Sequence, residues 1–294
     1  MRRASAETRA LAALVARALA EDRVGCDRTT RALFGRAVPA EATVTAEADG
    51  VVSGLAAVRA LARSLGLRAV VAARDGGRVR PGSVVVRLRG DARTILGAER
   101  TLLNFLMHAS GVATATAAAV ARVRGAHPPL EVWATRKTLP GLRDLEKAAV
   151  VHGGGRPHRR DLAEAILIKN NHLALLALPE AVRRARAHAP SGVRVEVEVR
   201  TAREAMRAAR AGAPALLIDN AGPARARGIV RSLARAGLRR GRWVELSGGI
   251  TPENVGRYRS VGADAVSLGA LTHSARALPF HLTLRPTRLR RPAR

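Results

Sequence analysis

Residues 193–200 read VRVEVEVR, and this octapeptide decides the fold. Strand side chains alternate, so Val193, Val195, Val197 and Val199 share one face, and Arg194, Glu196, Glu198 and Arg200 share the other. A central strand of an open doubly wound sheet is apolar on both faces. A barrel strand can send its valines to the helix layer and its charges into a polar lumen near the mouth. The alternation therefore predicts a parallel α/β barrel. An edge strand with one solvated face is the competing reading.

The flanking sequence repeats the theme. Strand-like runs at 131–137, 165–169, 193–199, 215–219, 243–247 and 265–269 alternate with helix-like runs at 141–151, 179–188, 202–211, 224–236 and 252–261. Six such β/α repeats fit a parallel α/β architecture. The first hundred residues are mixed. An amphipathic helix is expected over 1–22, where Arg17 interrupts the apolar stretch and no small-residue cleavage site follows, so a leader peptide is disfavoured. Strands are expected at 43–48, 68–73 and 83–88, a helix within 51–65, and a long helix over 91–123.

Composition narrows the function classes. The chain has 294 residues, 47% hydrophobic and 25% charged, which suits a globular protein. No uninterrupted apolar run reaches the roughly 18 residues of a membrane span, and a cytoplasmic location is the default expectation. Cys26 is the single cysteine, which excludes an internal disulfide and a cysteine metal cluster. The net charge of +28 raises the question of nucleic acid. Arginines are spread along the whole chain, however, and aromatics are only 2%, so stacking platforms for bases are scarce. Nucleic acid is not expected as the main partner. Only Lys137, Lys147 and Lys169 are lysines among 51 basic residues. A retained lysine suggests a position for a compact point charge such as a phosphate binder, although Lys147 by itself is read as chance.

In barrel enzymes the C-terminal strand ends build the active site. Arg136 and Lys137 end the first strand, Lys169 the second, followed by Asn170, Asn171 and His172. Glu198 lies near the end of the third, Asp219 at the end of the fourth, Ser247-Gly248-Gly249 after the fifth, and Gly269 after the sixth. With His158 and Arg159 this rim is cationic and suits a polyanionic substrate. Glu198 and Asp219 can hold Mg²⁺ or bond sugar hydroxyls. Glu196 is read as structural. Ser247-Gly248-Gly249 leads into Thr251-Pro252-Glu253, an expected helix start, so a phosphate can meet backbone N–H groups there. No nucleophile–base pair stands out.

Segments 99–106 (ERTLLNFL), 110–114 (SGVAT), 134–150 (ATRKTLPGLRDLEKAAV), 153–159 (GGGRPHR), 167–172 (LIKNNH), 195–199 (VEVEV), 216–220 (LLIDN), 245–255 (ELSGGITPENV) and 267–275 (SLGALTHSA) resemble, in family order, the quinolinate phosphoribosyltransferases. The likeness is weaker at 18–30 and 46–55. It implies an incomplete parallel α/β barrel over 111–275 with an N-terminal α/β sandwich domain, 1–110, joined by 276–294. It also implies a homodimer in which the partner's N-terminal domain completes the active site. The implied reaction joins quinolinate to 5-phosphoribosyl-1-pyrophosphate with Mg²⁺, giving nicotinate mononucleotide, pyrophosphate and CO₂ in NAD biosynthesis.

Carried over residue by residue, the resemblance implies that Arg100 from the partner chain, Arg136, His158 and Arg159 hold the quinolinate carboxylates. Lys137 and Lys169 would contact pyrophosphate and substrate charges. Glu198 and Asp219 would bind ribose hydroxyls or Mg²⁺, and Ser247, Gly248, Gly249, Gly269 and His273 the 5′-phosphate. Asn171 and His172 would lie nearby. Four positions depart from the family: Cys26 replaces a usual glycine, Arg200 a usual acid, and Glu164 and Asn170 frequent aspartates. The +28 charge and the basic tail 285–294 are not explained by the family. The alternatives are a paralogue of the molybdenum-transport-associated type with another acceptor, which LIKNNH argues against, and a nucleic-acid-associating protein.

Overall fold

The computed structural model describes residues 2–287, with side chains from residue 7 onward. Most of the basic tail, 288–294, lies outside the described residues. In chain order the elements begin with α1 (Arg2–Glu21), α2 (Arg28–Leu33), β1 (Pro39–Ala46), β2 (Gly50–Val51), α3 (Leu55–Ser64), β3 (Arg68–Val71), β4 (Arg78–Val79), β5 (Val84–Asp91) and α4 (Ala92–Val123). They continue with β6 (Glu131–Trp133), α5 (Arg143–His152), β7 (Ala165–Ile168), α6 (Asn170–Leu173), α7 (Leu178–His188), β8 (Arg194–Val199), α8 (Ala202–Arg210), β9 (Ala215–Asp219) and α9 (Pro223–Arg235). The last are β10 (Trp243–Ser247), β11 (Ala265–Ser267), α10 (Ala270–His273) and β12 (Phe280–Pro286).

Two compact units result. One takes the chain up to Thr114 together with the segment from Ala275; the other is Ala115–Ser274. The first contains an antiparallel sheet in the order β12-β1-β5-β3. β12 returns from the far end of the sequence to pair with β1, from Ala46 opposite Phe280 to Ala40 opposite Pro286. Alternate residues of β1 (Ala40, Ala42, Val44, Ala46) are buried, as a half-solvated strand requires. α3 packs against β3 and α1. α4 is long and apolar enough by composition to cross a membrane, but 56% of its most apolar window is buried inside the protein, as in a core helix.

The second unit is a parallel sheet in the order β6-β11-β10-β9-β8-β7. The first strand of this unit pairs with the last, and every other strand pairs with its sequence neighbour. That is the order of an α/β barrel left open between β6 and β7. A single residue lines the β6 side of the gap: the Arg156 N–H donates to Val132 O at 2.8 Å, and the Ala134 N–H donates to Arg156 O at 2.8 Å. Gly155 allows this approach, since a Cβ there would lie 2.7 Å from Thr116 Cγ2 and 3.2 Å from the Val132 carbonyl oxygen.

The reading of VRVEVEVR holds at the level of single side chains. Val195, Val197 and Val199 are buried and share the helix-side core with Val182 of α7 and Ala205 and Ala208 of α8. Glu196 is only 3% exposed and faces inward. Thr201 caps α8 by accepting the Glu204 N–H at 3.1 Å, so the strand hands over to its helix within two residues.

Two expectations fail locally. The strand expected over 131–137 stops at Trp133, because residues 134–142 turn through bonds such as Leu142 N–H to Leu139 O at 3.1 Å, and Pro140 can offer no N–H. The helix expected over 252–261 is a set of turns with a short 3₁₀ segment, Val255–Tyr258. There the Asn254 side chain accepts the Thr251 N–H and donates to Gly249 O, both at 2.9 Å, so side-chain bonds displace the helical ladder.

Candidate active site

Shortening the first strand turns 134–138 into a loop over the C-terminal rim of the barrel. Arg136 is half-buried there and Lys137 exposed. The Lys137 N–H is held by Thr135 Oγ1 at 3.0 Å, and its carbonyl accepts from Thr272 Oγ1 at 2.8 Å. That second bond fastens the loop to α10. A Cβ on Gly269 would lie 2.9 Å from both Lys137 Cδ and His273 Nε2, so Lys137, Gly269 and His273 converge.

Arg159 arrives from the segment that pairs with the edge of β6. Its Nη1 donates to Ala165 O at 3.0 Å. Burial, and then the neighbouring Arg136, push its guanidinium pKa down from the usual value. Arg136 and Arg159 face, with Lys169, His172 and the end of β7, a cavity of about 490 Å³. The Arg136 Nε is buried and has no hydrogen-bond partner among the described residues. A buried unmatched donor is costly, and here it borders a cavity that can admit an acceptor.

Glu198 and Asp219 end the adjacent strands β8 and β9. Glu198 Oε1 accepts from Asn170 Nδ2 at 2.9 Å, and Asp219 Oδ2 from Asn220 Nδ2 at 2.9 Å. Burial first, and Asp219 second, raise the Glu198 pKa. Arg200 reaches both acids, at 3.7 Å from Glu198 and 3.3 Å from Asp219. Lys169 is exposed beyond β7, and its N–H donates to His172 Nδ1 at 2.8 Å. Asn171 is exposed beside it.

Ser247 lies opposite Asp219 in register, and its carbonyl accepts the Asn220 N–H at 2.8 Å. Gly248 and Gly249 follow at φ +87° and +64°. A Cβ on Gly248 would lie 2.3 Å from Asn220 Oδ1 and 2.7 Å from the Asn220 nitrogen, so position 248 has no room for a side chain. The expected helix after these glycines is absent. The loop therefore offers backbone N–H groups without a following α-helix dipole.

His158 takes a different position from its neighbours. It adopts φ +55°, and its ring turns inward. Nδ1 accepts the Arg159 N–H at 2.7 Å, and Nε2 lies 3.3 Å from Glu245 Oε1. Glu245 is fully buried beside Glu196. The sequence reading named neither Glu245 nor its pairing with Glu196, although strands β8 and β10 both carry an inward glutamate. Burial, then Glu245, raise the Glu196 pKa well above its ordinary 4.5. A second cavity of about 570 Å³ opens at the other end of the strands, beside Trp133, Trp243 and Arg194. The Arg194 guanidinium lies 5.0 and 4.6 Å from those two rings.

The raised Glu196 pKa has a measurable consequence. The folded state holds the proton more tightly than the unfolded one, so its contribution is present below pH 4.5 and is lost as pH rises towards the folded value. Glu196→Gln removes this titration and places an amide donor beside Glu245, whose Oε2 has no hydrogen-bond partner among the described residues. Its melting temperature at pH 8 should exceed the parent's by roughly 2 °C or more, with a smaller gap at pH 5. Equal differences at the two pH values would mean Glu196 is ionised in the fold.

Arg100 belongs to the first unit, where it is exposed on α4. The structure thus brings together in the second unit Arg136 with Arg159, Lys137 with Gly269 and His273, Glu198 with Asp219, and Ser247–Gly249 with Asn220.

The C-terminal domain model of quinolinate phosphoribosyl transferase matches residues 112–283, and the N-terminal domain model matches 27–110. A probable nicotinate-nucleotide pyrophosphorylase (carboxylating) of Methanothermobacter thermautotrophicus is 40% identical over 88% of this chain and 93% of its own length. The human nicotinate-nucleotide pyrophosphorylase (carboxylating) is 38% identical over 93% of this chain and 91% of its own. The solved structure of the Francisella tularensis nicotinate-nucleotide pyrophosphorylase superposes with a TM-score of 0.85 at 30% identity, covering 95% of this chain and 97% of the other. Both domains and the order of the rim motifs agree, and the chain belongs to the quinolinate phosphoribosyl transferase family.

Proposed function

We infer that this chain transfers the phosphoribosyl group of 5-phosphoribosyl-1-pyrophosphate to quinolinate, yielding nicotinate mononucleotide, pyrophosphate and CO₂ for NAD biosynthesis. The observation that carries this reading is the unmatched Arg136 Nε beside the 490 Å³ cavity that Arg159 and Lys169 also line. Two guanidinium groups and an ammonium suit a planar dicarboxylate. Relatives from archaea to human bear the pyrophosphorylase name.

The chemistry needs no covalent nucleophile. The quinolinate ring nitrogen attacks the anomeric carbon of the ribose, and the bond from that carbon to pyrophosphate breaks. The transition state is cation-like, so positioning and electrostatics do most of the work. Lys137 and Lys169 meet the negative charge that builds on the departing pyrophosphate. Arg136 and Arg159 hold the carboxylates and so aim the ring nitrogen. Once that nitrogen is quaternised, the adjacent carboxylate leaves as CO₂, and its bonding pair stays on the ring carbon until a proton is added. Ser247, Gly248, Gly249, Gly269 and His273 form the 5′-phosphate site, from backbone N–H groups and the His273 ring. His158, with both ring nitrogens engaged inside the barrel, acts by orienting Arg159.

Glu198 and Asp219 offer hard carboxylate oxygens at adjacent strand ends, a donor set that fits Mg²⁺ carried by a pyrophosphate. When bound, the ion neutralises charge on the leaving group. The chain works as a cytoplasmic homodimer in this reading, with Arg100 of one subunit completing the quinolinate pocket of the other.

The test is product formation from quinolinate, 5-phosphoribosyl-1-pyrophosphate and Mg²⁺, with nicotinate substituted in a parallel reaction. Nicotinate mononucleotide and CO₂ from quinolinate alone are expected. Silence with both acceptors from folded protein would move the reading to a paralogue with the same phosphoribosyl site and another acceptor.

A further inference from the structure

We propose that Lys147 is a positioning residue for the quinolinate pocket: its buried ammonium ties together the two loops that present Arg136 and Arg159. The inference rests on those two arginines being the carboxylate holders. Lys147 sits in the second turn of α5 and is only 6% exposed. Its Nζ donates to the Pro157 carbonyl and reaches the Thr135 carbonyl at 3.5 Å. Thr135 immediately precedes Arg136, and Pro157 stands two residues before Arg159.

α5 holds the first loop elsewhere as well. Glu146 Oε2 accepts the Leu139 N–H at 3.2 Å, and Arg143 Nε donates to Thr138 Oγ1 at 3.0 Å. Lys147 also reaches the second loop, through the Pro157 carbonyl. The two Arg156 backbone bonds to β6 fix the strand edge and not the arginines beyond it, and Asp144 of α5 pairs with the neighbouring Arg160 at 2.6 and 2.5 Å.

The residue type fits the task. In a chain that fills 48 of its 51 basic positions with arginine, a lysine stands here. A compact ammonium with three donors suits a site between two carbonyls, whereas a planar guanidinium needs more room. Keeping it there is costly: burial first, then Arg143, lower its pKa to about 8. Two like-charged arginines must also be held in register over one small anion. A shift of about 1 Å between such groups can lower kcat/KM on the order of 100-fold.

Lys147→Met keeps the length and removes the donors. In the full-length enzyme its quinolinate KM should rise at least roughly tenfold, while the KM for 5-phosphoribosyl-1-pyrophosphate stays within about twofold of the parent. A general loss of folded protein would lower the active fraction without this selectivity. Lys147→Gln, which retains one amide donor, should fall between the two, and it carries the same test if the methionine variant does not fold. A quinolinate KM within about twofold of the parent in either folded variant, or an equal change in both KM values, overturns the proposal. Arg136→Ala and Arg159→Ala measured alongside separate the two ideas. If they leave quinolinate KM unchanged, the reading of the pocket itself fails; if they raise it and Lys147→Met does not, only the role of Lys147 fails.

Discussion

Arg136→Ala should lower quinolinate turnover by about 1,000-fold and leave the fold intact. The guanidinium is half-buried on a loop, outside the apolar core, and its Nε bonds to nothing among the described residues. Its removal therefore strands no protein acceptor and leaves the barrel packing untouched. The substrate fares differently. A carboxylate that loses a desolvated ionic hydrogen-bond partner costs about 2–5 kcal/mol, which spans roughly 30-fold to several thousand-fold in rate. Arg159 lies close enough to feel the charge of Arg136, so the pocket keeps part of its potential and binding is not erased. Arg136→Lys restores charge without the fork and should recover only a part of the loss. Steady-state kinetics with a thermal melt on the same sample decide the matter. Near-normal activity from Arg136→Ala would remove that residue from the site.

Gly248→Ala is expected to be nearly as damaging, through the other substrate. At φ +87° an alanine is strained whatever the space, and the space is missing. Its Cβ would sit 2.3 Å from Asn220 Oδ1 and 2.7 Å from the Asn220 nitrogen. Asn220 is fixed in turn, because its N–H donates to Ser247 O at 2.8 Å and its Nδ2 to Asp219 at 2.9 Å. The strain must therefore move either the glycine loop or Asp219, and both serve the phosphoribosyl substrate in the proposed site. An increase of about 100-fold in the KM for 5-phosphoribosyl-1-pyrophosphate should follow, with quinolinate affinity less affected. Gly249→Ala meets no atom within 4 Å and pays only for its positive φ, so it should be much milder. Equal effects at the two glycines would mean that conformational strain, and not the Asn220 contact, governs this loop.

The valine–glutamate alternation was legible because strand geometry converts sequence parity into sides. Val195, Val197 and Val199 went to the helix layer and Glu196 to the lumen, as that parity requires. The rim residues were legible for a related reason: parallel strands place all their C-terminal ends at one mouth. The helix expected after Gly249 was not legible. Thr251-Pro252-Glu253 has the composition of a helix start, but the Asn254 side chain competes for the same backbone groups. The early end of β6 belongs to the same class of local competition.

Lys147 and His158 mark the limit more sharply. By sequence Lys147 is an unremarkable residue in an amphipathic helix, and His158 is one more cation at the rim. Burial and aim changed both readings. α5 turns Lys147 under two loops that are 22 residues apart at Thr135 and Pro157, and φ +55° turns the His158 ring towards Glu245.

By itself the sequence determined the repeating β/α order, the inward and outward faces of the strands, the family, and which residue types stand at the strand ends. These depend on local periodicity and on order along the chain, which residues carry individually. Only the tertiary structure decided that β6 closes on β11, that Arg156 pairs with the free edge of β6, that Glu196 meets Glu245, and that one lysine spans two loops. Those outcomes depend on which distant segments share a position in space and on how much water is excluded there, and neither quantity is a property of any one stretch of chain.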